Sequence, residues 1–207
     1  MQATNSRFGP VIDKLNFLSL WVRRPQSMGA IAPSSQSLAS AIAREIDDDL
    51  PGVVVELGAG TGSITTALIE NASDPGRIVV VEREASLCRL LRKRFPQIRV
   101  IRGDARELER LIGRAEIGPV KAVVSGLPLL NMAKQDRSEI IDQCFAIMPP
   151  EGVMVQFTYG SVAPVPRSVA RQSGIAGERA GWVLRNLPPA AIWRYSRDET
   201  VGAVELQ

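Results

Sequence analysis

The chain has 207 residues, 45% of them hydrophobic, a formal net charge of +3 and no histidine. That length suits one domain with decorations and a core that needs no disulfides. The missing histidine excludes a Ser-His-Asp hydrolase and removes the commonest metal ligand. Cys88 and Cys144 are isolated and read as buried thiols of a reducing compartment, with no metal site expected.

No apolar run reaches the roughly 20 residues that span a bilayer. The first predicted element is a helix over 10–22, with Pro10 suited to its first turn. Val11, Ile12, Leu15, Leu18 and Val22 make one apolar stripe at helical spacing. Phe17, Leu20 and Trp21 project off that stripe, beside Lys14, Arg23 and Arg24. Tryptophan and bulky aliphatics next to bases are the composition of a helix lying in a membrane interface. The alternative is a helix packed wholly inside the protein or in a dimer interface.

From Val53 onward the hydrophobic pattern alternates strand and helix, which predicts a doubly wound α/β sheet. Strands are expected at 52–57, 77–82, 98–102, 120–125 and 152–159, and helices at 63–72, 84–95, 104–112 and 134–148. The first strand, Val53-Val54-Val55-Glu56-Leu57, runs into Gly58, Gly60 and Gly62. Glycines there permit a tight loop and close approach of a ligand to the backbone. A dinucleotide loop of the G-x-G-x-x-G type would carry its third glycine at Ser63. The earlier third glycine, with Glu56 two before the first, resembles instead the loop of S-adenosylmethionine-dependent methyltransferases.

The second strand ends in Glu82, twenty residues past Gly62, where a carboxylate can accept from both ribose hydroxyls of an adenosyl group. A plain helix-capping role is the alternative. The third strand closes in Gly103-Asp104-Ala105, where Asp104 can accept from the adenine amine and also cap the next helix. After Tyr159 an irregular stretch leads to a short helix near 167–173. Two strands, 181–187 and 191–196, then flank Pro188-Pro189 and supply an antiparallel edge. Positive charge collects at the ends of the chain. Residues 1–35 hold four bases against Asp13, and residues 161–197 hold six arginines against Glu178. That distribution suggests an anionic partner, a phosphate-bearing substrate or a membrane surface.

Several segments together resemble the short bacterial phospholipid N-methyltransferases. They are Phe17 to Pro25, Met28-Gly29-Ala30-Ile31-Ala32-Pro33-Ser34-Ser35, Glu56 to Gly62, Ser125-Gly126-Leu127-Pro128-Leu129-Leu130-Asn131-Met132 and Phe157-Thr158-Tyr159-Gly160. The resemblance covers nearly the whole chain in order. It implies a Rossmann-like class I methyltransferase fold and stepwise methylation of phosphatidylethanolamine toward phosphatidylcholine. It implies a cytoplasmic enzyme held peripherally at the inner face of the cytoplasmic membrane, through residues 10–24 and the bases of 161–197. The expected domain plan is an amphipathic lid segment over 1–35 and a methyltransferase domain over 36–207 with a basic insertion around 161–180. The family is also similar to rRNA adenine dimethyltransferases, which carry Asn-(Leu/Ile)-Pro-Tyr after the fourth strand. Here the match is Ser125-Gly126-Leu127-Pro128-Leu129, without the base-reading Asn and Tyr. No nucleic-acid partner is therefore expected; methylation of rRNA adenine or of a small molecule is the alternative.

The resemblance assigns S-adenosylmethionine to Glu56, Gly58, Gly60, Gly62, Glu82, Asp104 and Ala105, with Ser125 beside its methionine end and Met28 and Ser34 closing over it. Tyr159 is the candidate to orient the acceptor amine or relay its proton. Trp182, Trp193 and Tyr195, with Tyr159, are the aromatic faces available to a methylated ammonium, although the tryptophans can equally be core residues. Arg167, Arg171, Arg179, Arg185 and Arg194 are the candidates to hold a lipid phosphate.

Overall fold

Buried runs of β-branched residues build a seven-stranded sheet in a computed structural model that describes residues 33–47, 49–159, 161–184 and 189–198, with side chains from Ser37 onward. The strands are β1 (Val53–Leu57), β2 (Ile78–Glu82), β3 (Arg99–Arg102), β4 (Val120–Ser125), β5 (Val153–Tyr159), β6 (Ile175–Val183) and β7 (Ala190–Arg197). Their order is β3-β2-β1-β4-β5-β7-β6. The first five are mutually parallel, and β7 runs antiparallel to both its neighbours. Continuous apolar runs such as Ile78-Val79-Val80-Val81 belong to strands covered on both faces, and β2 is buried along its whole length. The mostly parallel, doubly wound sheet with its one reversed strand toward one side is the architecture expected from the hydrophobic pattern.

Helices cover both faces. One layer holds α1 (Pro33–Ala43), α2 (Ser63–Asn71) and α3 (Ala85–Arg94); the other holds α4 (Leu108–Arg114), α5 (Lys134–Ala146) and α6 (Arg167–Gln172). The first core joins Leu38, Ile42, Leu68 and Leu91 to Val54, Val80, Val124 and Val155. The second joins Leu108, Ile112, Ile141 and Phe145 to Val55, Val79, Val123 and Met154. Alternation along each strand sends successive side chains to opposite faces. Cys88 and Cys144 lie in different layers, both buried and free, and burial alone pushes the Cys144 thiol up to about 12. Among the described residues no helix is long and apolar enough to cross a membrane.

Two elements depart from the expectation. Strand β6 starts at Ile175 rather than 181, so much of the supposed insertion at 161–180 is α6 and the first half of an edge strand. Residues Ala176 to Ala180 are all exposed and the pairing shifts between Arg179 and Gly181, so no apolar run announces the strand. Helix α1 was hidden for a related reason: its serines and alanines carry little periodicity, and its buried side chains are Leu38, Ala39, Ile42 and Ala43. The helix expected over 10–22 lies outside the described residues.

The turn from β1 into α2 is the part of the fold most sensitive to sequence. Gly58, Gly60 and Gly62 have φ of 68°, 58° and 88°. A Cβ on Gly62 would also sit 2.5 Å from Phe95 Cε2, inside the aromatic packing at the end of α3. Gly62→Ala is expected to cost about 2 kcal/mol or more, combining left-handed strain with overpacking. A thermal melt that stays within a degree of the parent protein would contradict this.

Candidate active site

The sheet reverses its strand order between β1 and β4, and the crevice beyond the carboxyl ends of such strands is where open α/β sheets bind ligands. Four chain segments meet there: the glycine loop after β1, Glu82 to Glu84 after β2, Gly103 to Ala105 after β3 and Gly126 to Asn131 after β4. Backbone bonds tie them together. Gly58 N donates to Val81 O at 3.0 Å, Gly103 N to Glu82 O at 3.1 Å and Gly126 N to Leu57 O at 2.8 Å.

Glu82 organises the centre. Its Oε2 accepts from Gly60 N at 3.2 Å and its Oε1 from Glu84 N at 2.9 Å, so the carboxylate holds both the glycine loop and the turn into α3. Each carboxylate oxygen can accept more than one hydrogen bond, which leaves capacity for a diol. The loop opens outward at Gly60, where an added Cβ would meet nothing within 4 Å.

Glu56 is fully buried at the end of β1, where Thr65 Oγ1 of α2 donates to its Oε2 at 2.6 Å. Its Oε1 has no partner among the described residues. Burial pushes the carboxyl up to about 7; the Thr65 hydroxyl opposes that rise and the nearby Glu82 charge adds to it. A buried acid with one orphaned oxygen, next to the glycine loop, suits a cationic ligand group, whose charge would favour the ionised carboxylate.

Asp104 does cap the turn that begins at Ala105, accepting from Arg106 N at 3.0 Å. The Arg106 guanidinium also grips the carboxylate through Nε at 3.1 Å and Nη2 at 2.9 Å, while its Nη1 reaches Asp136 at 3.1 Å. The bonds from Arg106 hold the Asp104 carboxyl below the usual carboxylate range, so it stays ionised and able to accept. Ser125 is fully buried at the end of β4, and its Oγ accepts from Leu127 N at 3.3 Å. Met28 and the side chain of Ser34 lie outside what is described, although Ser34 itself falls within α1.

The acceptor side is more dispersed than the sequence suggests. Tyr159 ends β5 on the α1 face, half-buried, with its ring edge-on to Phe157 at 5.6 Å between centroids. Trp193 packs against the opposite core, so it and Tyr159 do not share a surface. Trp182 is 41% exposed on the edge strand, beneath the Arg179 guanidinium at 5.3 Å. Tyr195 is not one of the available aromatic faces. It is 1% exposed, pairs with Met154 near the start of β5 and receives the backbone N–H of Val165 at 3.3 Å, making it a core residue away from the crevice. Burial pushes its phenol up to about 12.

The arginines also separate. Arg194 sits in mid-strand opposite Val155, and its guanidinium lies 3.7 Å from Glu178 of the edge strand. Arg167 and Arg171 are exposed on α6, and Arg185 lies outside the described residues. Residues that the sequence reading passed over include Thr65, Arg106 and Asp136, and also Arg94, whose Nη1 donates to Thr61 O at 2.8 Å and braces the glycine loop. Thr65, Asp136 and Arg94 act through partners in other elements, and Arg106 joins the adjacent Asp104 to Asp136 thirty residues on, so no single motif marks them.

The residues present fit S-adenosylmethionine: a free buried carboxylate oxygen for an ammonium, a loop-bound carboxylate for a ribose and an ionised aspartate for an exocyclic amine. When bound, the cofactor supplies a methyl group already activated on a sulfonium. What the chain contributes is position and the exclusion of water. Among the described residues no cluster could hold a metal ion.

Comparison with known proteins agrees. The family described as "Methyltransferase domain" matches residues 54–152. The ornithine lipid N-methyltransferase of Singulisphaera acidiphila is 31% identical over 182 residues, spanning 86% of this chain and 92% of that enzyme. A ribosomal RNA small subunit methyltransferase A from Synechococcus is 36% identical over 87 residues, but these cover 41% of this chain and 28% of that enzyme. Among solved structures, magnesium protoporphyrin IX methyltransferase from Synechocystis, with bound cofactor, superposes with a TM-score of 0.63 at 14% identity, covering 94% of this chain and 100% of that one. The glycopeptide N-methyltransferase MtfA gives a TM-score of 0.61 at 14% identity, over 81% of this chain and 96% of that one. The chain belongs to the class I S-adenosylmethionine-dependent methyltransferases, in the family that includes the ornithine lipid N-methyltransferase of Singulisphaera acidiphila.

Proposed function

We propose that the protein methylates the headgroup amine of a membrane lipid, with phosphatidylethanolamine as substrate and stepwise transfer toward phosphatidylcholine. The observation that carries this reading is the near-full-length match to an enzyme named for a lipid amine. The rRNA match, by contrast, spans 28% of its relative. The acceptor loop agrees: its Gly126-Leu127-Pro128-Leu129 run offers no amide or ring side chain to read a base. A second reading follows from the same relative, with ornithine lipid as the acceptor. Both lipids present a primary amine a few bonds from an anion.

When bound, S-adenosylmethionine would supply the methyl group and leave as S-adenosylhomocysteine. The acceptor ammonium has to lose one proton before its nitrogen can attack, and the methylated ammonium one more before each further transfer. Tyr159, at the carboxyl end of β5, is the side chain proposed to orient the amine or pass that proton to water. The membrane partner is an anionic surface on the cytoplasmic side, met by the amphipathic stretch 10–24 and by exposed bases including Arg167, Arg171 and Arg179. Long-range attraction of this kind contributes about 1 kcal/mol per base close to the surface.

The test incubates the full chain with methyl-labelled S-adenosylmethionine and liposomes of phosphatidylethanolamine or of ornithine lipid, each with and without an anionic lipid. Label in mono-, di- and trimethylated phosphatidylethanolamine, increased by the anionic component, is the expected result. Label confined to ornithine lipid would move the assignment to the second reading. Cofactor binding with no labelled lipid would overturn both.

A further inference from the structure

Gln156 lies where a mostly parallel sheet should carry an apolar residue. It sits on β5 between Ser125 of β4 and Trp193 of β7, in register with both, and is 3% exposed. Its Nε2 donates to two carbonyls, Leu127 O and Phe157 O, each at 3.0 Å. Two carbonyl acceptors settle the orientation of the amide, because turning it would set oxygen against oxygen. Among the described residues the amide oxygen is thereby left without a partner, as is the neighbouring Trp193 Nε1. A buried polar atom left in this way is a net cost to the fold. A methionine of similar volume would avoid that cost, so Gln156 is not explained by stability.

What the amide does secure is the loop after β4. Leu127 O receives both Gln156 Nε2 and Leu129 N, the latter at 2.9 Å. The Leu127 side chain leans on the glycine loop so closely that a Cβ on Gly58 would come within 2.6 Å of its Cδ2. Gly126 is equally tight against Gly58 O, at 2.9 Å from an added Cβ. Leu127 is thus, beside Gly126, a contact between the segment read as facing the acceptor and the segment read as cradling the cofactor. Gln156 supplies a side-chain donor to its carbonyl from the neighbouring strand β5.

We propose that Gln156 is a positioning residue for methyl transfer: it pins Leu127 so that the acceptor loop and the glycine loop keep one mutual alignment. The inference rests on the reading of the post-β4 loop as the acceptor side. Displacing reacting groups by about 1 Å can cost on the order of a hundredfold in rate, whereas cofactor contacts made by Glu56, Glu82 and Asp104 do not pass through Gln156.

The experiment compares the parent protein with Gln156→Met. The variant is expected to melt at the same temperature or higher and to bind S-adenosylhomocysteine within about twofold, while kcat falls roughly ten- to a hundredfold. Amide hydrogen exchange should quicken over residues 127–132 and stay unchanged over the glycine loop. A second variant, Gln156→Glu, should recover activity relative to the parent as pH falls, because a protonated carboxyl can again donate to Leu127 O. Unchanged kcat and unchanged exchange would overturn the proposal. So would a joint loss of melting temperature, cofactor affinity and rate, which marks a merely structural residue. If the parent methylates neither lipid, the lipid reading fails while the exchange pattern still decides whether Gln156 pins the loop.

Discussion

Glu82→Ala is expected to abolish useful cofactor binding, weakening it by about a hundred- to a thousandfold. The carboxylate is 8% exposed and already receives two backbone N–H groups, from Gly60 and Glu84. It is therefore pre-positioned, and ribose hydroxyls would add two charge-assisted bonds worth about 1.5–3 kcal/mol each. Alanine loses these and frees the glycine loop at Gly60 as well. Glu82→Gln keeps the volume but removes the charge and turns one acceptor into a donor facing an N–H group, so an intermediate loss is expected. Titration calorimetry with S-adenosylhomocysteine measures both. An affinity within threefold of the parent protein for the alanine variant would remove Glu82 from the binding site.

That prediction was legible from spacing, because everything it uses is local: a buried strand, its terminal acid and a glycine loop twenty residues earlier. The parallel strands were legible for the same reason, since Val53-Val54-Val55 or Ile78-Val79-Val80-Val81 has no other stable use. The acceptor side was not. Tyr159, Trp182, Trp193 and Tyr195 look like one aromatic group in sequence, yet strand alternation puts Tyr159 and Trp193 on opposite faces, and the antiparallel run of β7 carries Tyr195 toward the start of β5. Register decides such questions, and register is not written in composition. Arg194 illustrates the same point, since its partner Glu178 belongs to a strand half of which carries no apolar signal.

Glu56 combines both situations, and its titration supplies the other large effect. The acid at the end of β1 is visible in sequence, but its state depends on Thr65 from α2 and on complete burial. With its carboxyl raised from 4.5 to about 7, the folded ligand-free protein retains a proton that the unfolded chain has released. Folding then takes up a proton between those two values, so the contribution of Glu56 to stability is greatest below pH 4.5, declines as pH rises toward about 7 and levels off above it. The span corresponds to about 3 kcal/mol. Glu56→Gln removes this slope and should leave the ligand-free variant more stable than the parent at pH 8, by as much as that span less whatever the Thr65 bond contributed. Denaturant unfolding across pH 4.5–8 measures the difference between the two proteins, in which other titrating groups cancel. The cost in function runs the other way. A cationic cofactor group beside the orphaned Oε1 favours the ionised acid, so binding near pH 6 should release close to one proton from the parent and almost none from the variant. Calorimetry in two buffers of different ionisation enthalpy reads that number directly. Equal proton release from both proteins, with parallel stability curves, would mean that Glu56 is already ionised in the free fold and that its orphaned oxygen finds a donor of its own. A release seen in the parent alone would tie the proton held by the buried acid of β1 to the charge of the cofactor that displaces it.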